Sequence, residues 1–324
     1  MRCNNNTFEQ YLTILCCPRC KAALRSDNNF LLCQNKLCKG SYPIVSGKPI
    51  LIDDADSIFT MNAFANIEKT SHEPDKNIVS RAKKFTVSHI PSIRNNLSAR
   101  GCLDKFADLL LSRSNSPIVL VIGCGVQGKG MGKITREHAI RLINTDVTTD
   151  STASIFCDAH SIPFRDSSID GVIVQAVLEH VVDPKRCVDE IHRVLSSIGI
   201  VYSEIPFMQQ VHSGRFDFTR FTHLGHRRLF RNFKEIDSGL VAGPGTSLAW
   251  SYYYLLRSFG KSPLANIMSF LVGNLTGFWL KYLDYPLRNS SGALDAASCT
   301  YFLGEKSDVV ISDKELIALY KGAQ

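Results

Sequence analysis

Three groups of residues in this chain have the types and spacing to do chemistry. The first is Cys17-Pro18-Arg19-Cys20, followed by Cys33 and Cys38. Two knuckles separated by twelve residues can bring four thiolates to one tetrahedral ion, and Zn²⁺ favours sulfur in that geometry. The second knuckle has a loose C-x4-C spacing, and Cys16 stands beside Cys17 as a competing thiol. The second group is Gly123-Cys124-Gly125-Val126-Gln127-Gly128, directly after the apolar run Ile118–Ile122. Glycines there permit a tight turn and let backbone N–H groups approach a ligand closely. Asp146 lies 23 residues after Gly123, where a carboxylate can accept both hydroxyls of a ribose, and Asp158-Ala159 ends a further apolar stretch. The third group follows Pro206. His212 and His223 are candidate bases near neutral pH, and Arg215 and Arg220 are candidate anion clamps. Asp217 and Arg220 also suit a plain helical i,i+3 pair.

Such residues need elements to position them. Ile118–Ile122 is short, apolar and β-branched, as expected of a strand buried on both faces. Further strand ends fall at Asp146, at Asp158, in Ile169–Val174 and in Gly199–Glu204. The alternation of strands with helices predicts an α/β fold, Rossmann-like and doubly wound, with ligands at the carboxyl ends of a mostly parallel sheet. Leu24 to Leu32, with Asp27-Asn28-Asn29 in its middle, predicts a hairpin that presents the second cysteine knuckle to the first. About fifty residues bury little surface alone, so a metal would supply the missing folding free energy. Residues 1–55 thus form a zinc ribbon, and 56–116 a connector with helices. That connector has a break at His72-Glu73-Pro74-Asp75 and helical spacing over Leu103–Leu111. Residues 117–306 form the main domain and 307–324 a tail with a helix near Glu315–Tyr320.

Phe233–Gly239 and Thr300–Lys306 look like a sixth and a seventh strand, which this kind of fold pairs as a hairpin. About 55 residues, Pro244 to Cys299, intervene. A loop that long carries helices of its own or a function. Its aromatics, Trp250 and Trp279 among them, suit amphipathic helices. These could form an apolar acceptor pocket, dock on a membrane surface, or simply cover the sheet. Arg227, Arg228, Arg231 and Lys234, interleaved with Phe230 and Phe233, suggest a basic-aromatic helix of the kind RNA binders use. A solvated face with the phenylalanines turned inward fits equally well.

The run from Pro117 to Gly243, and again Thr300 to Lys306, resembles class I S-adenosylmethionine-dependent methyltransferases of the type 11 group. The match is carried by Gly123-Cys124-Gly125, by Asp158-Ala159-His160-Ser161-Ile162-Pro163-Phe164, by Asp170, and by Val177-Leu178-Glu179-His180-Val181. The resemblance implies a seven-stranded sheet and S-adenosyl-L-methionine as cofactor. It implies that Gly123 and Gly125 line the methionine part, Asp146 the ribose, and Asp158 and Ala159 the adenine. Gln175 would face the cofactor from the end of the fourth strand, and Glu179-His180 would support the site by packing and capping. Leu15 to Ile52 is similar to the Trm112-like zinc ribbon, whose relatives front some bacterial methyltransferases or activate others as separate subunits. Three departures stand out: Val121 replaces the acid usual before the first glycine, the following helix is glycine-rich, and only eleven residues separate Asp146 from Asp158.

The whole composition is compatible with this reading. The chain has 324 residues, 44% hydrophobic and 21% charged, which excludes wholesale disorder. A net charge of +7 is compatible with nucleic acid, an acidic small molecule or an anionic membrane surface. Eleven cysteines, several within apolar runs, suit buried thiols in a reducing compartment better than a disulfide scaffold. No apolar run of signal type opens the chain, and the longest uncharged run, between Lys261 and Lys281, is too polar for a convincing span. The expectation is an enzyme, cytoplasmic or peripheral to the inner membrane face, that methylates an O or N nucleophile on a small-molecule, lipid or glycan-type acceptor. Two alternatives stay open: an RNA base methyltransferase, and a non-enzymatic cofactor-binding or zinc-ribbon activator protein.

Overall fold

The structure is a computed structural model that describes residues 8–65, 90–125, 128–149, 151–260 and 262–324. The break expected at His72–Asp75 and residues Val126 and Gln127 of the glycine turn lie outside them.

The N-terminal strands are β1 (Leu24–Asp27), β2 (Phe30–Cys33), β3 (Ser41–Val45) and β4 (Lys48–Leu51). The expected hairpin joins β1 to β2, with Asn28 at φ 51, a left-handed turn position that asparagine tolerates. After helix α1 (Met61–Ala65), helix α2 (Ala99–Arg113) leads into β5 (Ile118–Ile122), α3 (Gly132–Arg136), β6 (Arg141–Asp146), β7 (Ile155–Cys157) and β8 (Ile169–Gln175). Then follow α4 (Pro184–Val194), β9 (Leu195–Pro206), α5 (His223–Leu229), β10 (Phe233–Ala242), α6 (Pro244–Ser258), α7 (Pro263–Gly277) and β11 (Cys299–Lys306).

The sheet has eleven strands rather than seven, in the order β1-β2-β3-β4-β7-β6-β5-β8-β9-β11-β10. The seven strands from β7 to β10 form the expected doubly wound unit, parallel except where β11 runs antiparallel to β9 and β10. The excess arises because β4 pairs in parallel with β7, Ile50 opposite Phe156 and Leu51 opposite Cys157. The cysteine-bearing ribbon therefore continues the sheet. Other bonds fasten it there: Cys16 N–H donates to Pro163 O at 2.9 Å, and Lys21 Nζ bonds Glu190 at 2.8 Å and Ser161 at 2.9 Å.

The central strands are apolar on both faces. Ile118 to Ile122 are all buried, as are Val172, Ile173 and Val174. α2 covers one side with Leu103, Phe106 and Leu110; a Cβ on Gly171 would lie 2.7 Å from the Phe106 ring, so that strand position stays bare to admit the ring. α4 covers the other with Val188, Ile191 and Val194. Its start is set by Asp183, which accepts from the Arg186 N–H, and by Pro184 in the first turn.

Three local features follow the sequence closely. The glycine-rich stretch supports only the five-residue α3, because glycine costs about 1 kcal/mol per helical position. Between β6 and β7 no helix occurs among the described residues, and β7 is three residues long. The long insertion between β10 and β11 is helical. α6 and α7 pack antiparallel, followed by a 3₁₀ stretch at Phe278–Leu283.

The basic-aromatic helix does not form as expected. α5 ends at Leu229, and Phe233 and Lys234 belong to β10. Arg227 is buried, pairs with Glu235 at 3.1 Å and donates to the Phe230 and Phe233 carbonyls. Arg231 donates to Ile311 O, and both Arg228 and Arg231 meet Asp313. Phe230 and Phe233 are core residues. The cations are engaged within the fold rather than presented as one surface.

Candidate functional site

At the carboxyl ends of β5, β6 and β7 the chain builds a cavity lined by Gly123, Asp146, Asp158, Ala159, His160, Val177 and His180, with Ile58 and Phe59 at its rim. Gly123 sits at φ +72, and a Cβ there would lie 2.3 Å from Val177 Cγ2. Only glycine permits both that backbone and that approach. Gly123→Ala should therefore displace Val177 and the turn together. It is expected to destabilise by roughly 1–3 kcal/mol, read as a lower denaturant midpoint at unchanged slope.

Asp146 ends β6 and is buried. Its Oδ1 accepts the N–H groups of Val147 at 2.7 Å and Thr148 at 2.8 Å, and its Oδ2 turns toward Gly125. Burial raises its pKa, and the hydrogen bonds from Thr148 and Val147 oppose that rise. Asp158 is tied more firmly. It caps the short 3₁₀ turn through the His160 N–H, bonds His160 Nδ1 at 2.6 Å and accepts from Ser57 Oγ at 2.5 Å. Burial would raise its pKa; the bonds from His160 and Ser57 outweigh that and hold it low. Its carboxylate shapes the cavity wall.

Gly123 and Ile122 are shared with a second cavity, which contains Val121, Gly128, Met131, Asn144, Thr152 and Gln175. Gln175 thus lies on the far side of the glycine turn from Asp146, Asp158 and Ala159. Its Nε2 donates to Glu204 Oε1 at 2.9 Å and to Lys129 O at 3.2 Å. Glu204, opposite Gln175 near the carboxyl end of β9, is buried and also accepts from Tyr202 Oη at 2.6 Å. Burial raises its pKa. Glu204 is a site residue that sequence reasoning missed; its place near a strand's carboxyl end was the available signal.

The polar stretch after β9 divides into residues that share a site and residues that do not. His212 lies with Glu179 and His180: its Nε2 is 3.9 Å from Glu179 Oε1, and the two imidazoles pack edge to face at 4.9 Å. Burial lowers the pKa of both histidines and pushes the Glu179 carboxyl up to about 8. Asp217 and Arg220 are paired, but in a loop rather than a helix. Arg220 also donates to the carbonyls of Gln209 and Gln210, and Asp217 accepts the His212 N–H at 2.9 Å. Burial would raise Asp217, yet Arg220 and His212 hold it at about 2. Arg220 is therefore engaged as a loop brace, not offered as an anion clamp. Arg215 is exposed and lies over the Phe216 ring at 4.9 Å. His223 is buried elsewhere, its Nε2 3.1 Å from Ser238 Oγ on β10, and does not join His212.

In the ribbon, Cys17, Cys20, Cys33 and Cys38 place their sulfurs within 4.8 Å of one another. The Cys20–Cys33 and Cys17–Cys38 separations are 3.4 and 3.7 Å. Tetrahedral Zn–S bonds of about 2.3 Å require sulfurs roughly 3.8 Å apart, so the four thiols fit one such ion. Tyr42 Oη lies 3.0 Å from Cys17 Sγ as an outer support. Cys16 is outside the group; burial pushes its thiol up to about 11.

Comparison with known proteins agrees with this geometry. Residues 120–203, from β5 into β9, match the family model described as a methyltransferase domain. Among solved structures, a putative sarcosine dimethylglycine methyltransferase from Galdieria sulphuraria is similar over 76% of this chain and 96% of its own, at 13% identity and a TM-score of 0.41. Phosphoethanolamine N-methyltransferase 2 of Haemonchus contortus is similar over 66% of this chain and 55% of its own, at 16% identity and a TM-score of 0.40. A complex between the Haloferax volcanii Trm112 methyltransferase activator and a putative methyltransferase matches over 64% and 93%, at 18% identity and a TM-score of 0.36. No curated protein matches. The stretch from Leu120 to Ser203 that matches the methyltransferase-domain model carries the strand ends that build the cavity.

Proposed function

We propose that the chain is an S-adenosylmethionine-dependent methyltransferase with a structural zinc ribbon of Trm112-like type. The observation that carries this reading is the single cavity uniting Gly123, Asp146, Asp158 and Ala159 at the carboxyl ends of adjacent parallel strands. Bound there, S-adenosylmethionine supplies a methyl group on a sulfonium, open to in-line displacement by an O or N nucleophile. Asp146 would accept the ribose hydroxyls, Gly123 and Gly125 would let the backbone approach the methionine part, and Ala159 would lie along the adenine. Gln175, from the neighbouring cavity, would reach the methionine end together with Glu204. The chain's contribution is positioning and exclusion of water, which can account for several kcal/mol of barrier. His212, with a depressed pKa, would be neutral at pH 7 and, while its Nε2 holds no metal, able to take a proton from the acceptor. Calorimetric titration of S-adenosylmethionine into folded, zinc-replete protein tests the reading. Micromolar binding is expected, and a folded protein that takes up none would overturn it.

The helical insertion supports a lipid-type acceptor met at an anionic bilayer surface. α7 has its burial inverted. Its inward residues are Ser269, Gly273, Asn274 and Gly277, while Leu264, Ile267, Met268, Val272 and Leu275 are exposed. Ser269, Gly273 and Gly277 recur every four residues, and a Cβ on Gly273 would meet Tyr253 at 2.8 Å, so α6 and α7 approach closely through small residues. Small residues inward and apolar ones outward is the pattern of helices solvated by lipid. Trp279, Tyr282 and Tyr285 extend the face with exposed aromatics suited to the bilayer interface. The insertion's charges are Arg257, Lys261, Lys281 and Arg288 against Asp284 and Asp295, and Asp284 is buried, which complements anionic headgroups. No described helix is long and apolar enough to cross a membrane, so the contact would be peripheral. Sedimentation with phosphatidylserine-containing vesicles is expected for the native chain, and Ile267→Asn/Met268→Asn should lower the partition coefficient about tenfold or more, since each side chain contributes roughly 1.5–3 kcal/mol when buried. No sedimentation of the native chain would exclude this docking.

A further inference from the structure

Glu179 is fully buried, and neither of its carboxylate oxygens has a hydrogen-bond partner. Leaving such a group unpaired costs on the order of 1–3 kcal/mol even when it is protonated, and more when it is charged. Its main chain is held in place, with Glu179 O accepting the N–H groups of Phe218 and Thr219. The carboxylate is aimed at His180 and His212, whose Nε2 atoms lie 3.6 and 3.9 Å from Oε1.

Each imidazole sets its Nδ1 against a backbone carbonyl, and in His212 the carbonyl at 3.2 Å is nearer than the Arg220 Nη2 at 3.5 Å. His180 Nδ1 lies 2.8 Å from Phe216 O, and His212 Nδ1 lies 3.2 Å from Gln210 O. A carbonyl only accepts, so each Nδ1 set against one carries the proton and each Nε2 is left as an acceptor; in His180 that acceptor takes the Ser213 hydroxyl at 3.3 Å, which a cation would displace. Three acceptor atoms, on one buried carboxylate and two rings about a quarter exposed, then lie within 4.8 Å of one another. Backbone carbonyls that fix the outer nitrogen of ligating imidazoles are the usual supporting arrangement at metal centres.

We propose that Glu179, His180 and His212 bind a divalent transition-metal cation. Two imidazole nitrogens and one carboxylate oxygen are a ligand set that such ions take while keeping open positions for water or a substrate oxygen. Ligand bonds of about 2.0–2.2 Å place tetrahedral ligand atoms roughly 3.4 Å apart, so atoms up to 4.8 Å apart close by up to about 1.4 Å, which rotation of the partly exposed histidine side chains can supply. His180 also lines the cavity with Gly123, Asp158 and Ala159, so the ion would lie beside the proposed cofactor site. The inference rests on the three side chains alone and stands independently of the cofactor reading. It differs from the ribbon in using no sulfur.

The test is a titration of zinc-replete protein, its zinc content fixed beforehand at one equivalent by metal analysis, with Co²⁺. A second equivalent is expected, with the weak d–d absorption of nitrogen and oxygen ligation and no thiolate charge-transfer band. His212→Ala should abolish it, and Glu179→Gln, which keeps the buried shape, should weaken it on the order of tenfold or more. A native protein that takes no second equivalent overturns the proposal. So does retention of that equivalent, at unchanged affinity, in both folded variants. Because the readout is metal stoichiometry, failure here leaves the methyltransferase reading intact.

Discussion

Asp146→Ala is expected to abolish measurable S-adenosylmethionine binding while the protein still folds. The carboxylate lies at the end of β6 with one oxygen held by the Val147 and Thr148 N–H groups and the other turned toward Gly125 and the cavity. A ribose would be held by two charge-assisted hydrogen bonds, each of about 1.5–3 kcal/mol. Their loss predicts a fall in affinity of roughly a hundredfold or more. Asp146→Asn separates position from charge. Its amide oxygen can still accept from Val147 and Thr148, so the loop holds, but the amide offers a donor where the ribose requires an acceptor. Calorimetry should rank the native protein above Asn and Asn above Ala, with unfolding midpoints of the native and Asn forms close together. Equal affinity in all three would remove Asp146 from the site.

Cys20→Ser should remove the ribbon's metal and unfold the N-terminal segment cooperatively. Structural zinc contributes on the order of 10–16 kcal/mol to small domains. The ribbon has little else of its own; the buried side chains of β1 to β3 are Leu24, Leu31 and Tyr42, while Ile50 and Leu51 of β4 pack into the cores of the larger sheet. Metal analysis should give one zinc per native chain and less than half of that in Cys20→Ser. Cys16→Ala serves as the control, because Cys16 lies outside the sulfur cluster and should keep the full zinc content. The effect should also reach the cavity. β4 flanks β7, and Ser57, just beyond β4, holds Asp158. A lower unfolding temperature and weakened cofactor binding are therefore expected together. A ribbon variant without zinc but with native unfolding would contradict a structural role for the ion.

Much of the fold was legible because its signals are local. The apolar run before Gly123 and the Asn28-Asn29 turn each depend on a few neighbouring residues, and each lies where the sequence placed it. The eleven-stranded sheet was not legible, because the β4–β7 pairing joins residues more than a hundred positions apart without any local mark. Arg227 misled for the same reason: its partner Glu235 and the carbonyls it caps are supplied by the turn into β10, which converts an apparent basic face into an internal brace. His223 and His212 look alike in sequence, yet tertiary packing turns one onto Ser238 and the other toward Glu179. Glu179 and His180 were read as support. What distinguishes them is the lack of any donor to the buried carboxylate, which only three-dimensional packing reveals.

The junction of β4 with β7 also bears on how the chain assembles. β7 is only three residues long, and before β4 docks it offers unpaired N–H and C=O groups along an open sheet edge. Closing the intervening loop is entropically costly, so pairing at that edge belongs late in folding. During that interval β7 is a template for another chain. The ribbon precedes β7 in the chain, and if its ion lets it form early it would act as a preformed cover for the edge. Metal supply during synthesis would on this account govern yield and aggregation before it governs activity.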